Sequence, residues 1–274
     1  MVVQFMRDGM TETRNVRQAM VFAAGLGTRL KPLTDTMPKA LVRVGDQPLL
    51  WHVIMKLKTA GFERIVVNVH HFAQQIIDYL AENQYFGLDI RISDEREKLL
   101  ETGGGIKKAL PLFDAGSPVL IHNVDILSNV DLKELYDDAM EKACDALLLV
   151  SWRKTKRYLL FDDNDSLDGW INIETGEIKG DPLGITSTSV VENRRLQGTN
   201  GHSKRLLAFS GIHIISPSVF PLFEEMPDRF GIIDFYLKYC HQLSFLGKEE
   251  SDLQLMDVGK LDTLSEAENF INKM

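Results

Sequence analysis

Apolar residues fall in short blocks separated by glycines and charged turns, and the period inside each block predicts an element. Met20 to Ala24 are continuously apolar and read as a short buried strand. In "PLLWHVIMKLKTAG", Leu49, Leu50, Val53, Ile54 and Leu57 form one stripe at helical spacing, and Gly61 follows as a C-terminal cap. A strand "RIVVNV", a helix around "AQQIIDYL" and a strand "LDIRIS" come next, and a turn "ETGGG" leads into "IKKAL". "PVLIHNVDIL" is apolar enough for the centre of a sheet, "VDLKELYDDAMEKA" is a polar-faced helix capped near Asn129 or Asp131, and "DALLLV" is another strand. Such alternation predicts an α/β fold, a mostly parallel sheet with helices on both faces. Ligands of that class gather at the C-terminal strand ends, where Gly25, Gly103 to Gly105 and Asp125 fall.

The pattern changes from about Ser151. "RYLLFDD" and "LDGWINI" flank Asn164-Asp165 as a hairpin, and "RRLQGTNGHSK" is a polar loop. "LLAFSGIHIIS" returns to a buried strand, Ser216-Pro217 opens a helix, and the last helix starts with a Thr263/Glu266 capping box. Without repeats or low-complexity tracts, 18–274 reads as a single domain in two halves, 18–150 and 151–274. Residues 1–17 read as a flexible extension.

Composition narrows the function classes. At 274 residues with 44% apolar content the chain supports a large core, and its net charge of −8 disfavours nucleic acid or an anionic membrane as main partner. Cys144 and Cys240 match neither a metal nor a redox spacing and read as buried thiols of a reducing, cytoplasmic protein. The first 18 residues lack a signal-peptide core, and no apolar run reaches the ~20 residues of a membrane span. Nothing chooses between monomer and homodimer.

Candidate chemistry concentrates in "MVFAAGLGTRLKPLTDTMPKAL", residues 20–41. Gly25 and Gly27 bare the backbone after the first strand, and Arg29 and Lys39 flank it with cations, a composition suited to a polyphosphate. A strand-to-loop turn with a stray arginine gives the same Gly-x-Gly pattern. The G-x-x-x-x-G-K-[ST] phosphate loop is absent, and Leu30 stands where a dinucleotide fingerprint needs a third glycine.

The stretch resembles instead the signature of the sugar-1-phosphate nucleotidyltransferases, G-x-G-T-R-L-x-P-L-T followed by P-K-x-L. Gly25, Gly27, Thr28, Arg29, Leu30, Pro32, Leu33, Thr34, Pro38, Lys39 and Leu41 match it. "ETGGGIKKAL", "HNVDI", "FDDNDSLDGWINIETGE", "FSGIHIIS" and "MDVGKLDTL" resemble, in order, blocks of the subgroup containing N-acetylmuramate-1-phosphate uridylyltransferases and mannose-1-phosphate guanylyltransferase-like proteins. Two positions depart: Val124 replaces the usual glycine before the metal aspartate, and Leu255 the usual tryptophan before Asp257. The resemblance implies a doubly wound, Rossmann-like nucleotide-binding sheet with a small sugar-binding lid, using a nucleoside triphosphate, magnesium and a sugar 1-phosphate. It places the nucleotide on Ala23, Gly25, Leu26, Gly27, Thr28, Glu101, Thr102, Gly103 and Gly104, and the sugar phosphate near Asn172, Glu177 and Lys179. "ETGGGI" and "FDDNDSLDGW" look closest to the muramate type, which implies UTP and N-acetylmuramic acid 1-phosphate or a related hexose 1-phosphate. The guanylyl side of the subgroup implies GTP.

The residues fit that chemistry on their own terms. A sugar 1-phosphate is already an anionic nucleophile, its second ionisation lying at about pH 6, so no Ser, Cys or His nucleophile is required. Repulsion between anions is the obstacle, which cations and a metal relieve. Arg29 suits the β- and γ-phosphates, Lys39 the α-phosphate, and Asp125 and Asp257 offer hard oxygens to magnesium. Each has a bland reading: a capping or turn aspartate, a glycine-rich helix start at 101–105, a solvated turn in "NIETGEIK". Trp170, His70, His71 and His122 read as structural. A catalytically silent sensor of nucleotide sugars and another kind of phosphate-binding protein, such as a kinase, complete the hypotheses.

Overall fold

A computed structural model describes residues 16–180, 194–197 and 203–273. The chain enters as β1 (Gln18–Phe22), makes a small hairpin of β2 (Arg43–Val44) and β3 (Gln47–Pro48), and continues through α1 (Leu49–Thr59), β4 (Arg64–Val69), α2 (Ala73–Glu82), β5 (Asp89–Asp94), α3 (Glu101–Ala109), β6 (Val119–Asn123), β7 (Ile126–Ser128), α4 (Leu132–Lys142) and β8 (Ala146–Ser151). Its second half contributes β9 (Arg157–Phe161), β10 (Leu167–Asn172), β11 (Ile178–Gly180), β12 (Arg195–Gln197), β13 (Ser203–Ile215), α5 (Ile232–Tyr239), β14 (Phe245–Glu249), β15 (Leu255–Asp257) and α6 (Asp262–Ile271).

Parallel strands in the order β6-β1-β4-β5 form the first half of the main sheet, with Gln18 in register between Val119 and Arg64. β13 runs antiparallel along β9 at Arg205–Leu207 and along β6 at Ile212–Ile215, and it pairs with β8 on both sides of an irregularity between Phe209 and His213. The α/β sheet is therefore mixed: parallel in the strands before residue 124, and largely antiparallel where β9, β10 and β11 extend it.

Alternation along the strands divides the core between two faces. Ala19 and Val21 of β1 join one cluster with Leu49, Leu50, Val53, Ile54 and Leu57 of α1, whereas Met20 joins another with Ile106 of α3 and Phe235 of α5. All these side chains are buried, and each is worth roughly 1.5–3 kcal/mol relative to exposure. Both faces need helices because both faces of β1 are apolar.

Four local readings change. Gly103, Gly104 and Gly105 lie inside α3 and not in a turn. A Cβ at Gly103 would stand 2.2 Å from the Phe230 ring and one at Gly104 2.2 Å from the Asp228 carbonyl oxygen, so these glycines let α3 press against the segment before α5. The apolar run through Asp125 breaks into β6 and β7, because Val124 N–H donates to the Phe22 carbonyl while the Asp125 carbonyl accepts from Val258 N–H. α6 starts at Asp262 without the capping box, the Thr263 hydroxyl donating to the Lys260 carbonyl instead. Ser216 does cap the next segment, but that segment, Pro217–Glu225, is a 3-10 helix. Asp131 caps α4 by accepting from Lys133 and Glu134 N–H, and Gly61 has φ 83 just past α1.

Cys144 and Cys240 are buried free thiols. Arg17 pairs with Asp137 at 2.6 Å, tying the start of the described chain to α4, whereas residues 1–15 of the expected extension and 198–202 of the polar loop lie outside the described residues.

Two core histidines make stability depend on pH. Burial pushes His122 down to about 4 and His213 down to about 3, and neither His213 ring nitrogen has a hydrogen-bond partner among the described residues. Both stay neutral in the folded chain but take up a proton near pH 6.5 when unfolded, so the unfolded state binds more protons below that pH. Stability should fall on acidification below pH 6.5 by up to ~1.4 kcal/mol per pH unit per histidine. Urea unfolding between pH 7 and 5 measures this slope, and His213→Leu should lower it by about one proton; an unchanged slope counts against the assignment.

Candidate active site

The site begins where β1 ends. Ala23 and Ala24 N–H both donate to Asn68 Oδ1, at 2.7 and 3.3 Å, and Asn68 Nδ2 donates to Glu95 Oε1 at 2.7 Å. Glu95 Oε2 in turn accepts from Leu100 N–H at 3.2 Å. Burial raises the Glu95 carboxyl above its ordinary range. This bridge fixes the loop after β1 relative to the start of α3 and satisfies the first two loop amides.

The two loop glycines differ in kind. A Cβ on Gly25 would meet open space. Gly27, at φ 64, has Thr34 Cγ2 within 2.8 Å and Lys39 Cβ within 3.0 Å of the place a Cβ would take, and its carbonyl accepts from the Thr34 hydroxyl. Gly27 therefore shapes the loop, whereas Gly25 leaves backbone bare toward the cleft. Thr28 and Arg29 follow on a short 3-10 turn anchored by buried Leu30, and Leu26 is exposed.

Charges converge from three segments. Buried Lys39 donates to Asp125 Oδ2, joining the opening loop to the β6–β7 junction. β15 pairs with β7 so that Asp257 stands opposite Ile126, beside Asp125. Burial first, and then the Asp125 charge, raise the Asp257 carboxyl; Lys39, Arg29 and Arg153 oppose them. Arg29 lies 4.0 Å from Asp257, both about half exposed. Gly259 permits this approach, since a Cβ there would come within 2.6 Å of the Arg29 guanidinium.

A cleft of about 260 Å³ opens beside the Lys39–Asp125 pair, lined by Gly25, Lys39, Asp125, Asn123, Glu101 and Thr102 among others. The Thr102 hydroxyl accepts from Ile232 N–H, and Glu101, at φ 64, pairs with Arg229 at 2.8 Å. Gly103 and Gly104 face Phe230 and Asp228 and do not line this cleft. Ala23 is buried behind the loop, its N–H already taken by Asn68.

Asn172 at the end of β10, Glu177 just before β11 and Lys179 on β11 lie apart from this cleft. Asn172 Oδ1 accepts from Glu174 N–H, Glu177 pairs loosely with Lys179 at 3.7 Å, and Lys179 Nζ stands 5.3 Å over the Trp170 ring. Lys179 and Trp170 line a second cleft of about 320 Å³, which Arg153 also borders. Asn68, Glu95, Asn123 and Arg153 were not singled out from the sequence. The signal for Asn68 was a polar residue inside the apolar strand "RIVVNV".

No group of three or more His, Cys, Asp or Glu side chains able to hold a metal occurs among the described residues. Magnesium commonly takes only one or two protein carboxylates, with phosphates and waters completing its shell. Asp125 and Asp257 stand side by side and are two in number, and burial first, with the Asp125 charge second, raises the Asp257 carboxyl.

The Nucleotidyl transferase family matches residues 18–160, more than half of the chain, and the protein belongs to that family. It is 44% identical over 123 residues to N-acetylmuramate alpha-1-phosphate uridylyltransferase of Neisseria meningitidis serogroup B, covering 44% of this chain and 52% of the relative. The protein of that name from Caulobacter vibrioides is 51% identical over 109 residues, covering 39% and 45%. The matched segments thus span about half the length of these curated relatives. The fold matches a crystal structure of HddC from Yersinia pseudotuberculosis complexed with GMP-PN, with TM-score 0.69 at 20% identity over 93% of this chain and 100% of that one.

The Lys39–Asp125 pair can be tested by a double-mutant cycle. Lys39→Met strands a partly buried carboxylate, and Asp125→Asn strands a buried ammonium, so each should lower the melting temperature, while the double variant should recover part of the loss. Thermal unfolding of the four proteins should give a coupling of about 0.5–3 kcal/mol. Strict additivity would show the pair to be incidental.

Proposed function

We propose that the protein transfers a nucleoside monophosphate from a triphosphate to a sugar 1-phosphate and releases pyrophosphate, preferring UTP and taking N-acetylmuramic acid 1-phosphate or a related hexose 1-phosphate. The Lys39–Asp125 pair at the mouth of a cleft floored by bare Gly25 backbone carries this reading. A silent sensor would have no need of Arg29, Lys39, Asp125 and Asp257 together, and here Lys39 holds Asp125, Arg29 lies 4.0 Å from Asp257, and the Asp125 charge acts on Asp257.

In the proposed reaction an acceptor phosphate oxygen attacks the α-phosphorus in line. The new O–Pα bond forms as the bond from Pα to the bridging oxygen breaks, and that electron pair leaves with pyrophosphate. Unpaired N–H groups after Ala24 and the start of the 3-10 turn receive phosphate oxygens, and Arg29, half exposed at the rim, pairs with the β- and γ-phosphates. Lys39 sets its charge against the α-phosphate; being buried and already ordered, it needs little reorganisation as charge develops. Asp125 and Asp257 would hold a magnesium ion, which supplies neutralisation of phosphate charge when bound. Asn68 and Glu95 keep the loop amides aimed and the base end of the cleft closed. Glu101 and Thr102 lie at that end, where backbone and small polar groups suit the edge of a base.

Support for UTP comes from the two uridylyltransferase relatives, and the free buried thiols suit a cytoplasmic site of action. Among the described residues no helix is long and apolar enough to cross a membrane.

Pyrophosphate release should be measured with UTP, GTP, CTP and ATP against a panel of sugar 1-phosphates in the presence of magnesium. UTP should be preferred by a wide margin, because a mismatched base leaves buried polar groups unpaired; preference for GTP would reassign the donor, and no release with any pair would overturn the reaction. Lys39→Ala should cut kcat by about 10²- to 10³-fold with a smaller change in triphosphate KM. Retention of kcat with collapsed binding would make Lys39 a ground-state anchor only.

A further inference from the structure

A third cavity, of about 350 Å³, lies on the α1 side of the β6–β7 break. Neighbouring residues of β6 point to opposite faces, so Asn123 lines the first cleft while His122 turns the other way, into this cavity. Lys56 of α1 and Ser128 of β7 border it with His122, and Val53, Ile126, Leu127 and Ile271 give it apolar walls. None of these side chains has a part in the proposed transfer.

Two of its polar groups lack a counterpart. The Asn123 carbonyl can only accept, so His122 Nδ1 donates to it at 2.8 Å and carries the hydrogen of the neutral ring. Nε2 is therefore left as an acceptor, on a residue 1% exposed, and it has no partner among the described residues. Lys56 Nζ donates to the Ser128 carbonyl and, at 3.3 Å, to the Ser128 hydroxyl oxygen, which leaves its third hydrogen free. No carboxylate pairs with it among the described residues. Burial pushes the Lys56 ammonium down to about 8 against the pull of Asp131, so it still carries its charge at neutral pH. That charge acts on the His122 ring, which puts both groups within reach of one small molecule.

The combination selects a ligand by elimination. A cation is repelled by Lys56, and water leaves the ammonium without a counter-charge. A bare carboxylate answers Lys56 but sets lone pairs against His122 Nε2. A phosphate monoester is mostly doubly ionised at neutral pH, so it brings two charges to one cation and has lost the hydrogen that Nε2 needs. What remains is one negative charge and one hydroxyl on a carbon body that covers the apolar walls. We infer that this cavity is a binding site for a small hydroxycarboxylic acid, whose carboxylate pairs with Lys56 and whose hydroxyl donates to His122 Nε2. The site is distinct from both clefts of the proposed reaction and stands whether or not that reading holds.

Phenyllactate and hydrocinnamate test it, because they differ by one hydroxyl. Titration of the whole chain followed by calorimetry should show the better-bound enantiomer of phenyllactate binding about 3- to 10-fold tighter than hydrocinnamate, the scale of one neutral hydrogen bond. His122→Phe should bring that ratio close to one, whereas Lys56→Met should weaken both acids by about 10- to 100-fold. Arg29→Ala, at the first cleft, should leave both affinities as they are. Thermal unfolding of each variant establishes that it is folded. Should the buried substitutions not fold, nitrogen NMR on the unaltered protein reads the same contact: the His122 Nε2 resonance should move with phenyllactate and stay in place with hydrocinnamate. Equal affinities, an absence of saturable binding, a ratio that survives His122→Phe, or loss of both acids in Arg29→Ala would overturn the site.

Discussion

One ion pair, between Lys39 and Asp125, holds together segments 86 positions apart in sequence and defines where the chemistry is placed. Lys39 comes from the loop that leaves the first strand, Asp125 from the break between β6 and β7, and β15 is laid beside that break by the bond from Val258 N–H to the Asp125 carbonyl. Neither charge is fully solvated, so each needs the other as its counter-charge. The pair thus fixes the loop against the β6–β7 junction at folding, so that on the proposed reading little ordering is left for binding.

The antiparallel half depends on the same geometry from the other side. β13 pairs with both β6 and β9, so the strand beside the first cleft is also the one on which the antiparallel half of the sheet is built. Gly211, at φ 79 within the irregular stretch of β13, leaves room for the Asn123 side chain, which lines the cleft beside Lys39 and Asp125. One strand serves both halves, and on the proposed reading this is what would bring two substrates together.

Much of this was legible in the sequence. Apolar blocks with clear periods located β1, α1, β4, α2 and β5, and the motif of residues 25–41 marked the loop and its cations, because those features are local and a few residues determine them. What was not legible depends on distant partners. Three adjacent glycines read as a turn, yet in α3 they answer the Phe230 ring, which arrives from more than 120 positions away. Thr263 and Glu266 spell a capping box, but the Lys260 carbonyl takes the hydroxyl. Asn68 and Glu95 carry no motif, and their importance appears only when two backbone amides of another strand end are seen to depend on them.

Gly25 and Gly27 look equivalent in sequence and stand under different constraints. Gly27 is held by its own neighbours and by a backbone angle that other residues rarely adopt, so a side chain there disturbs the fold before any ligand arrives. At Gly25 the space is free and the angle is not of that kind, so a methyl group would cost the empty protein little and would be felt only when a phosphate tried to lie against the backbone. The loop therefore separates two kinds of selection at neighbouring positions. On the proposed reading, drift that leaves expression and folding untouched would silence the enzyme at Gly25, whereas at Gly27 a protein that had lost activity would also have lost part of its structure.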